Sequence, residues 1–256
     1  MTENSFSQVD IDVVLPAYRK GYVILDALSA VRERLDLTGL SHRLIVVVDG
    51  DVDGTANRLR AAALPNCTVL VKVANTGKGD SLRYGISRTS APLVALFDAD
   101  LDVDPVFLNH GIRVMQERPD LAGVIGSKRH QDTEINYPLT RRVLSSLYFY
   151  LAKIFVGVNV SDTQTGAKIF RGKVLRHHAA EARTNGVAFE LELLSRLESG
   201  GLEIAELPIR ITHDLFGSTM SLKVGLEALK DLARVRRSLQ SRNRKERRPR
   251  PIERAR

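Results

Sequence analysis

Short, continuously apolar runs alternate along this chain with longer stretches in which apolar residues recur every three to four positions. Ile11 to Leu15 in "DIDVVLPAY" reads as a buried strand closed by Pro16, and Val23 to Leu35 reads as a helix. "HRLIVVVDG" is a second fully buried strand, followed by helical "DGTANRLRAAAL", strand "TVLVKV", helix "KGDSLRYGISRTS" and strand "PLVALFD". Unbroken apolar strands separated by helices of about 10 to 15 residues predict βαβ units and a parallel sheet covered on both faces. The second half is less regular. It reads as strand "LAGVIGSKR", an apolar helical region from Pro138 to Gly157, loop "SDTQTG" and strand "AKIFR". Helix "AFELELLSRLESGG", strand "LEIAELPIRI" and a closing helix from Ser221 to Leu239 complete it. The pattern is that of a doubly wound α/β domain without an internal repeat.

Such sheets bind ligands at the carboxyl ends of their strands, where loops from several units meet. Polar punctuation falls there: "PAYRKG" after the first strand, "DGDVDGT" after the second, "NTGKG" after the third and "DADLD" after the fourth. Four polar loops are therefore expected on one rim. The last of them, in "ALFDADLDVDP", carries carboxylates at 98, 100, 102 and 104. Residues two apart on an extended chain point the same way, so Asp98, Asp100 and Asp102 are expected to crowd one patch and repel one another. A divalent cation removes that conflict. Oxygen donors alone favour Mg2+ or Mn2+, which share their coordination with substrate phosphates. Asp104 reads as a helix N-cap, with Pro105 at the first helical position.

Composition narrows the classes. With 256 residues, 43% of them apolar, the chain is long enough for a sizeable core, and one compact domain is expected. A single cysteine, Cys67, forms no intrachain disulfide; it reads as a small apolar residue at a strand edge and fits a reducing compartment. The opening "MTENSFSQVDID" is polar and acidic, unlike a signal peptide. No segment reaches the roughly 18 apolar residues that would span a bilayer, the nearest, Val143 to Ser161, being broken by Lys153. Net charge is +8, yet Arg234 to Arg256 alone holds eleven Arg and Lys against Glu246 and Glu253, a local +9, which leaves the body at −1. This tail reads as a solvated end or as an attachment to an anionic membrane surface. Without an aromatic residue to stack on bases, it does not suggest a nucleic-acid partner. There is no dense His or Cys cluster for zinc, "NTGKGDS" lacks the spacing of a triphosphate-binding loop, and no hydrolase elbow is present.

The blocks "VVLPAY", "VVVDGDVDGT", "NTGKGDSLRYGI", "LFDADLD", "IGSKR", "DTQTGAKIF" and "FELELL", in this order and spacing, resemble family 2 glycosyltransferases of the GT-A fold. The likeness is to the dolichol- or polyprenyl-phosphate mannose and glucose synthases, over roughly residues 11 to 225. It implies a mostly parallel, Rossmann-like sheet with helices on both faces, a flexible start over 1–9, one GT-A domain over 10–239 and a basic, disordered tail over 240–256. Pro16, Tyr18 and Asp49 would hold the nucleotide, with Lys78 and Ala99 also on the donor side. Asp98 and Asp100 fall on the metal and diphosphate motif, and Asp102 is a candidate third ligand. Arg141 and Ser145 in "PLTRRVLS" match residues that hold the acceptor phosphate, assisted by Lys128 and Arg129. Three loops depart from the pattern: "AYRK" stands where "AYNE" is usual, "VDGD" where "DDGS" is usual, and His213 beside Asp214 where a basic loop residue is usual.

The implied reaction moves a hexose, with inversion, from a UDP- or GDP-hexose to a polyprenyl phosphate. An acceptor phosphate is already anionic and needs positioning rather than a base. A sugar hydroxyl would need a carboxylate to take its proton; Asp162 in "SDTQTG" is then the candidate, with Glu190 behind it, unless Asp162 is a turn residue bonded to the backbone. A lipid acceptor requires the protein to reach a bilayer from the cytoplasmic side. "LSSLYFYLAKIF", with Tyr148, Phe149, Tyr150 and Phe155, reads as an interfacial helix, or as one packed inside the protein or on a membrane-protein partner. The rival readings are a soluble family 2 transferase acting on a hydroxyl, and a catalytically silent nucleotide-sugar binder.

Overall fold

The computed structural model describes residues 9–133, 153, 156–157, 159–186, 188–212 and 230–240. Seven strands, β1 (Ile11–Ala17), β2 (His42–Asp49), β3 (Cys67–Lys72), β4 (Leu93–Phe97), β5 (Gly123–Ser127), β6 (Ala167–Arg171) and β7 (Ile204–Pro208), form one sheet in the order β3-β2-β1-β4-β6-β5-β7. Helices α1 (Ile24–Asp36), α2 (Thr55–Ala62), α3 (Lys78–Ile86), α4 (Val106–Glu117), α5 (Gly172–Glu181) and α6 (Ala188–Ser199) connect them, and residues 230–240 are helical.

Strand side chains alternate between two cores because the period of a strand is two. Val13 and Leu15 of β1, Leu44, Val46 and Val48 of β2, and Ala95 and Phe97 of β4 face α1, α2 and α4. Val14, Ile45, Val47, Val94 and Leu96 face α3, α5, α6 and the 230–240 helix. On α1 the buried residues Ile24, Ala27, Leu28, Val31 and Leu35 recur at helical spacing, as expected of a helix lying on a sheet.

Three details differ from the sequence reading. First, β1 runs through Pro16 to Ala17. Pairing with β4 stops at Val14, so one flank of β1 has opened by Pro16 and a residue without an N–H is tolerated. Second, β6 lies antiparallel to both β4 and β5, which makes the sheet mixed; β5 and β7 remain parallel to β1 through β4. Third, α5 was not expected. It follows β6 without a break, and its buried Leu175, His178 and Ala179 are too few to stand out as a periodic stripe among "RHHAAE". The expected helix at Pro138 to Gly157 and the start of the closing helix lie outside the described residues, apart from helical positions at 153 and 156.

Candidate active site

Parallel pairing of β3, β2, β1 and β4 brings the loops "PAYRKG", "DGDVDGT", "NTGKG" and "DADLD" to one rim, as expected. The strand order reverses on either side of β1, and this switch point opens a crevice between β1 and β4. The loops after β5 and before β6 reach the same rim, because β5 runs parallel to β4 and β6 antiparallel to it.

The acidic loop turns rather than continuing the strand, so the strand alternation expected to bring Asp98, Asp100 and Asp102 onto one patch does not hold. β4 stops at Phe97, and Leu101 takes φ 59°, a left-handed conformation inside "DADLD". Asp100 Oδ1 accepts the Asp102 N–H at 3.4 Å, while the backbone of Asp102 is tied to Thr212. Ala99 turns its methyl into the core, so any contact it makes with a donor comes from its backbone. Asp104 Oδ1 accepts the Val106 N–H at 2.9 Å, but it stands one residue further out than expected: Pro105 is the N-cap of α4, which begins at Val106.

Two lysines, rather than an ion alone, relieve the repulsion among these carboxylates. Lys78, the first residue of α3, places Nζ 2.8 Å from Asp98 Oδ2 and 3.1 Å from Glu190 Oε2. Lys20, in the loop after β1, places Nζ 3.2 Å from Asp100 Oδ2. Behind them Lys168, 1% exposed, donates to Glu190 Oε1 at 2.5 Å. Burial would raise the Glu190 carboxyl, but Lys168 and Lys78 outweigh it and hold the group below its ordinary range. For Lys78 burial opposes the charge, and Glu190 and Asp98 override it, so the ammonium is held firmly protonated. Burial pushes Asp98 up; Lys78 pulls against this, but Glu190 and Asp100 add repulsion and the net direction is upward.

Gly166 makes room for Asp98. A Cβ there would lie 2.2 Å from Asp98 Oδ2 and 2.4 Å from its Cγ, and the Gly166 carbonyl accepts the Asp98 N–H at 2.8 Å. Gly79 similarly admits α6, since a Cβ would meet Phe189 Cβ at 2.3 Å and Gly186 O at 2.4 Å. Both lie in the quoted blocks "DTQTG" and "NTGKGD", where the glycines themselves were the missed signal.

The other predicted residues are placed as follows. Asp49, buried, accepts the Thr76 N–H at 2.9 Å and the Gly77 N–H at 2.8 Å and pairs with Lys72 at 3.0 Å, so its carboxylate shapes the "NTGKG" loop. Tyr18 is partly exposed at the rim, with the Arg19 guanidinium 5.3 Å from its ring centre. Pro16 lies in β1 opposite Val47. Asp53, not predicted, holds the first loop by accepting the Gly21 N–H at 2.9 Å; its hydrogen bond from Thr55 lowers its carboxyl. Asp162 accepts the Lys128 N–H at 3.0 Å, the Thr165 hydroxyl at 2.5 Å and the Gln164 N–H at 3.2 Å, the bonding of a turn residue. This brings Lys128, and with it Arg129, to the rim beside Asp162. Arg141, Ser145, the aromatic segment at 148–150 and 155, and His213 lie outside the described residues.

The donor set suits a hard divalent cation, being carboxylate oxygens only, with Asp98 and Asp100 each about one-third exposed at the crevice. A doubly wound sheet with an acidic rim at its switch point, backed by a glycine loop and three lysines, places its charged side chains where open α/β sheets bind ligands. The family model of glycosyl transferase family 2 matches residues 12–179, and the chain belongs to that family. Dolichyl-phosphate beta-glucosyltransferase of Dictyostelium discoideum is 26% identical, over 91% of this chain and 76% of its own length. Undecaprenyl-phosphate mannosyltransferase of Micrococcus luteus is 28% identical, over 86% of this chain and 91% of its own length. Among solved structures, glucosyl-3-phosphoglycerate synthase of Mycobacterium tuberculosis, in complex with Mn2+, UDP-glucose and phosphoglyceric acid, superposes with TM-score 0.64 at 19% identity, covering 89% of this chain and 80% of that one. It shares the α/β GT-A fold.

Proposed function

We propose that this chain transfers a hexose from a nucleotide-diphosphate sugar to a polyprenyl phosphate at a membrane surface, with Mg2+ or Mn2+. The observation that carries this is the state of the two carboxylates considered as bases. Asp162 spends both oxygens on its own turn and on Lys128, and Glu190 is buried between two lysines. Neither is poised to take a proton, which suits an acceptor that arrives as an anion. The two relatives, each covering most of this chain and named for transfer onto lipid phosphates, support the same acceptor class.

A metal ion bound by Asp98 and Asp100 would stabilise the negative charge that grows on the departing diphosphate. Lys78 fixes the orientation of Asp98, and Gly166 keeps that position open. Pro16 near the end of β1 and Tyr18 just after it are assigned to the donor side, and Asp49 sets the course of the neighbouring loop. Lys128, Arg129, Arg141 and Ser145 are assigned to the acceptor phosphate. No described helix is long and apolar enough to cross a membrane, so the aromatic segment after Arg141 and the basic tail are assigned to reaching the lipid.

The test is a donor screen: UDP- and GDP-hexoses with polyprenyl phosphate and Mn2+ or Mg2+, scored for lipid-linked sugar. Metal-dependent formation of a lipid-linked hexose with one donor is expected. Turnover onto a soluble hydroxyl, with none onto lipid phosphate under any donor, would replace this reading with the soluble transferase.

A further inference from the structure

The two lysines on the acidic crevice are not held alike. Lys78 is locked between Asp98 and Glu190 and lies at the start of a helix. Lys20 has one carboxylate partner among the described residues, Asp100, and the pair is about one-quarter and one-third exposed. Its backbone, by contrast, is fixed: the Lys20 carbonyl accepts the Val23 N–H at 3.0 Å and the Ile24 N–H at 2.9 Å, and Asp53 pins Gly21. Only the flexible stem of Lys20 is free to swing, from an anchored base at the switch point where β1 and β4 part.

A divalent ion held by Asp100 would compete for the same carboxylate with the ammonium that stands 3.2 Å from Oδ2, and the two cations would repel at short range. A diphosphate entering the same crevice offers the ammonium a second anion. We infer that Lys20 is a resident counter-ion of the metal and diphosphate position. It holds Asp100 while no nucleotide is bound, competes there with a divalent cation, and passes to the diphosphate when the donor arrives. Metal therefore loads together with the nucleotide rather than before it. This inference rests on the assignment of Asp98 and Asp100 to the metal.

The experiment uses the full chain as wild type, Lys20→Gln, Lys20→Arg and Asp100→Asn, each checked by thermal melt. Mn2+ is titrated without nucleotide by electron paramagnetic resonance, and UDP and GDP are titrated by calorimetry in a chelator. Lys20→Gln is expected to bind Mn2+ about tenfold more tightly and the diphosphate about tenfold more weakly, with Lys20→Arg close to wild type. Any other pattern in Lys20→Gln, while Asp100→Asn loses Mn2+, overturns the role of Lys20 and leaves the metal assignment standing. If Asp100→Asn binds Mn2+ as wild type does, the metal assignment itself fails, and the inference with it.

Discussion

Replacing Gly166 by alanine tests the crevice with one methyl group. The backbone at Gly166 is outside the left-handed region, so alanine is not strained by its own φ and the whole effect is steric. The new Cβ would stand 2.2 Å from Asp98 Oδ2, and ordinary contact requires the carboxylate to retreat by about 1 Å. Such a retreat breaks the 2.8 Å bond to Lys78 and takes Asp98 off the position at which it would meet a metal and diphosphate. A misplacement of that size is expected to lower kcat/KM by about 100-fold, about 2.7 kcal/mol of barrier. Overpacking costs about 1–3 kcal/mol of stability, which leaves the protein folded. The assay is the initial rate of sugar transfer at saturating acceptor, beside a thermal melt. A folded Gly166→Ala protein with turnover within about twofold of wild type would refute the reasoning, because Asp98 would then not need its present position.

Removing Glu190 as Glu190→Ala strands Lys168, which is 1% exposed, and is expected to cost about 3–5 kcal/mol in chemical denaturation, far more than a surface glutamate. Glu192 should govern acid stability: burial would raise its carboxyl, but hydrogen bonds from Ser238, Thr184 and Arg196 outweigh it and hold the carboxyl low. Its contribution is fully present above the ordinary glutamate range and lost as pH falls through the lowered folded-state value, so Glu192→Gln should flatten the acid side of a stability-versus-pH curve. Asp162→Asn should lower the melting temperature through the turn it closes while leaving the shape of the pH–rate profile unchanged; loss of the acidic limb would instead mark it as the proton acceptor. Far from the rim, Asp12→Ala should destabilise by about 3–5 kcal/mol, because Asp12 is fully buried and paired with Arg43 at 2.8 Å, without changing donor affinity.

The alternation of apolar runs and helical stripes was enough to read all seven strands in chain order and to put four polar loops on one rim. That reading succeeds because a strand buried on both faces must be apolar throughout, and "LIVVV" or "LVALF" admits little else. It missed α5, whose short apolar stripe is diluted by Arg176, His177 and Glu181, and it ended β1 one turn of the pleat early, because Pro16 is unfavourable only where both flanks of a strand are paired. At the site, "DADLD" was legible as an acidic cluster. Its geometry was not, since the left-handed Leu101 replaces the strand alternation that was assumed.

What the amino-acid order alone determined is the inventory of chemistry: carboxylates at 98, 100 and 102, a glycine loop at 77–79, and the family pattern that joins them. What only the tertiary structure decided is which charges meet. Lys20 is 80 positions from Asp100, Lys78 is 20 from Asp98, and Glu190 lies further still from both. No local periodicity links such pairs; they are brought within 3.2 Å because β1 and β4 are neighbours in the sheet while β2 and β3 are packed on the other side. Charge pairing depends on separation through space, and a sheet whose strand order departs from chain order sets that separation.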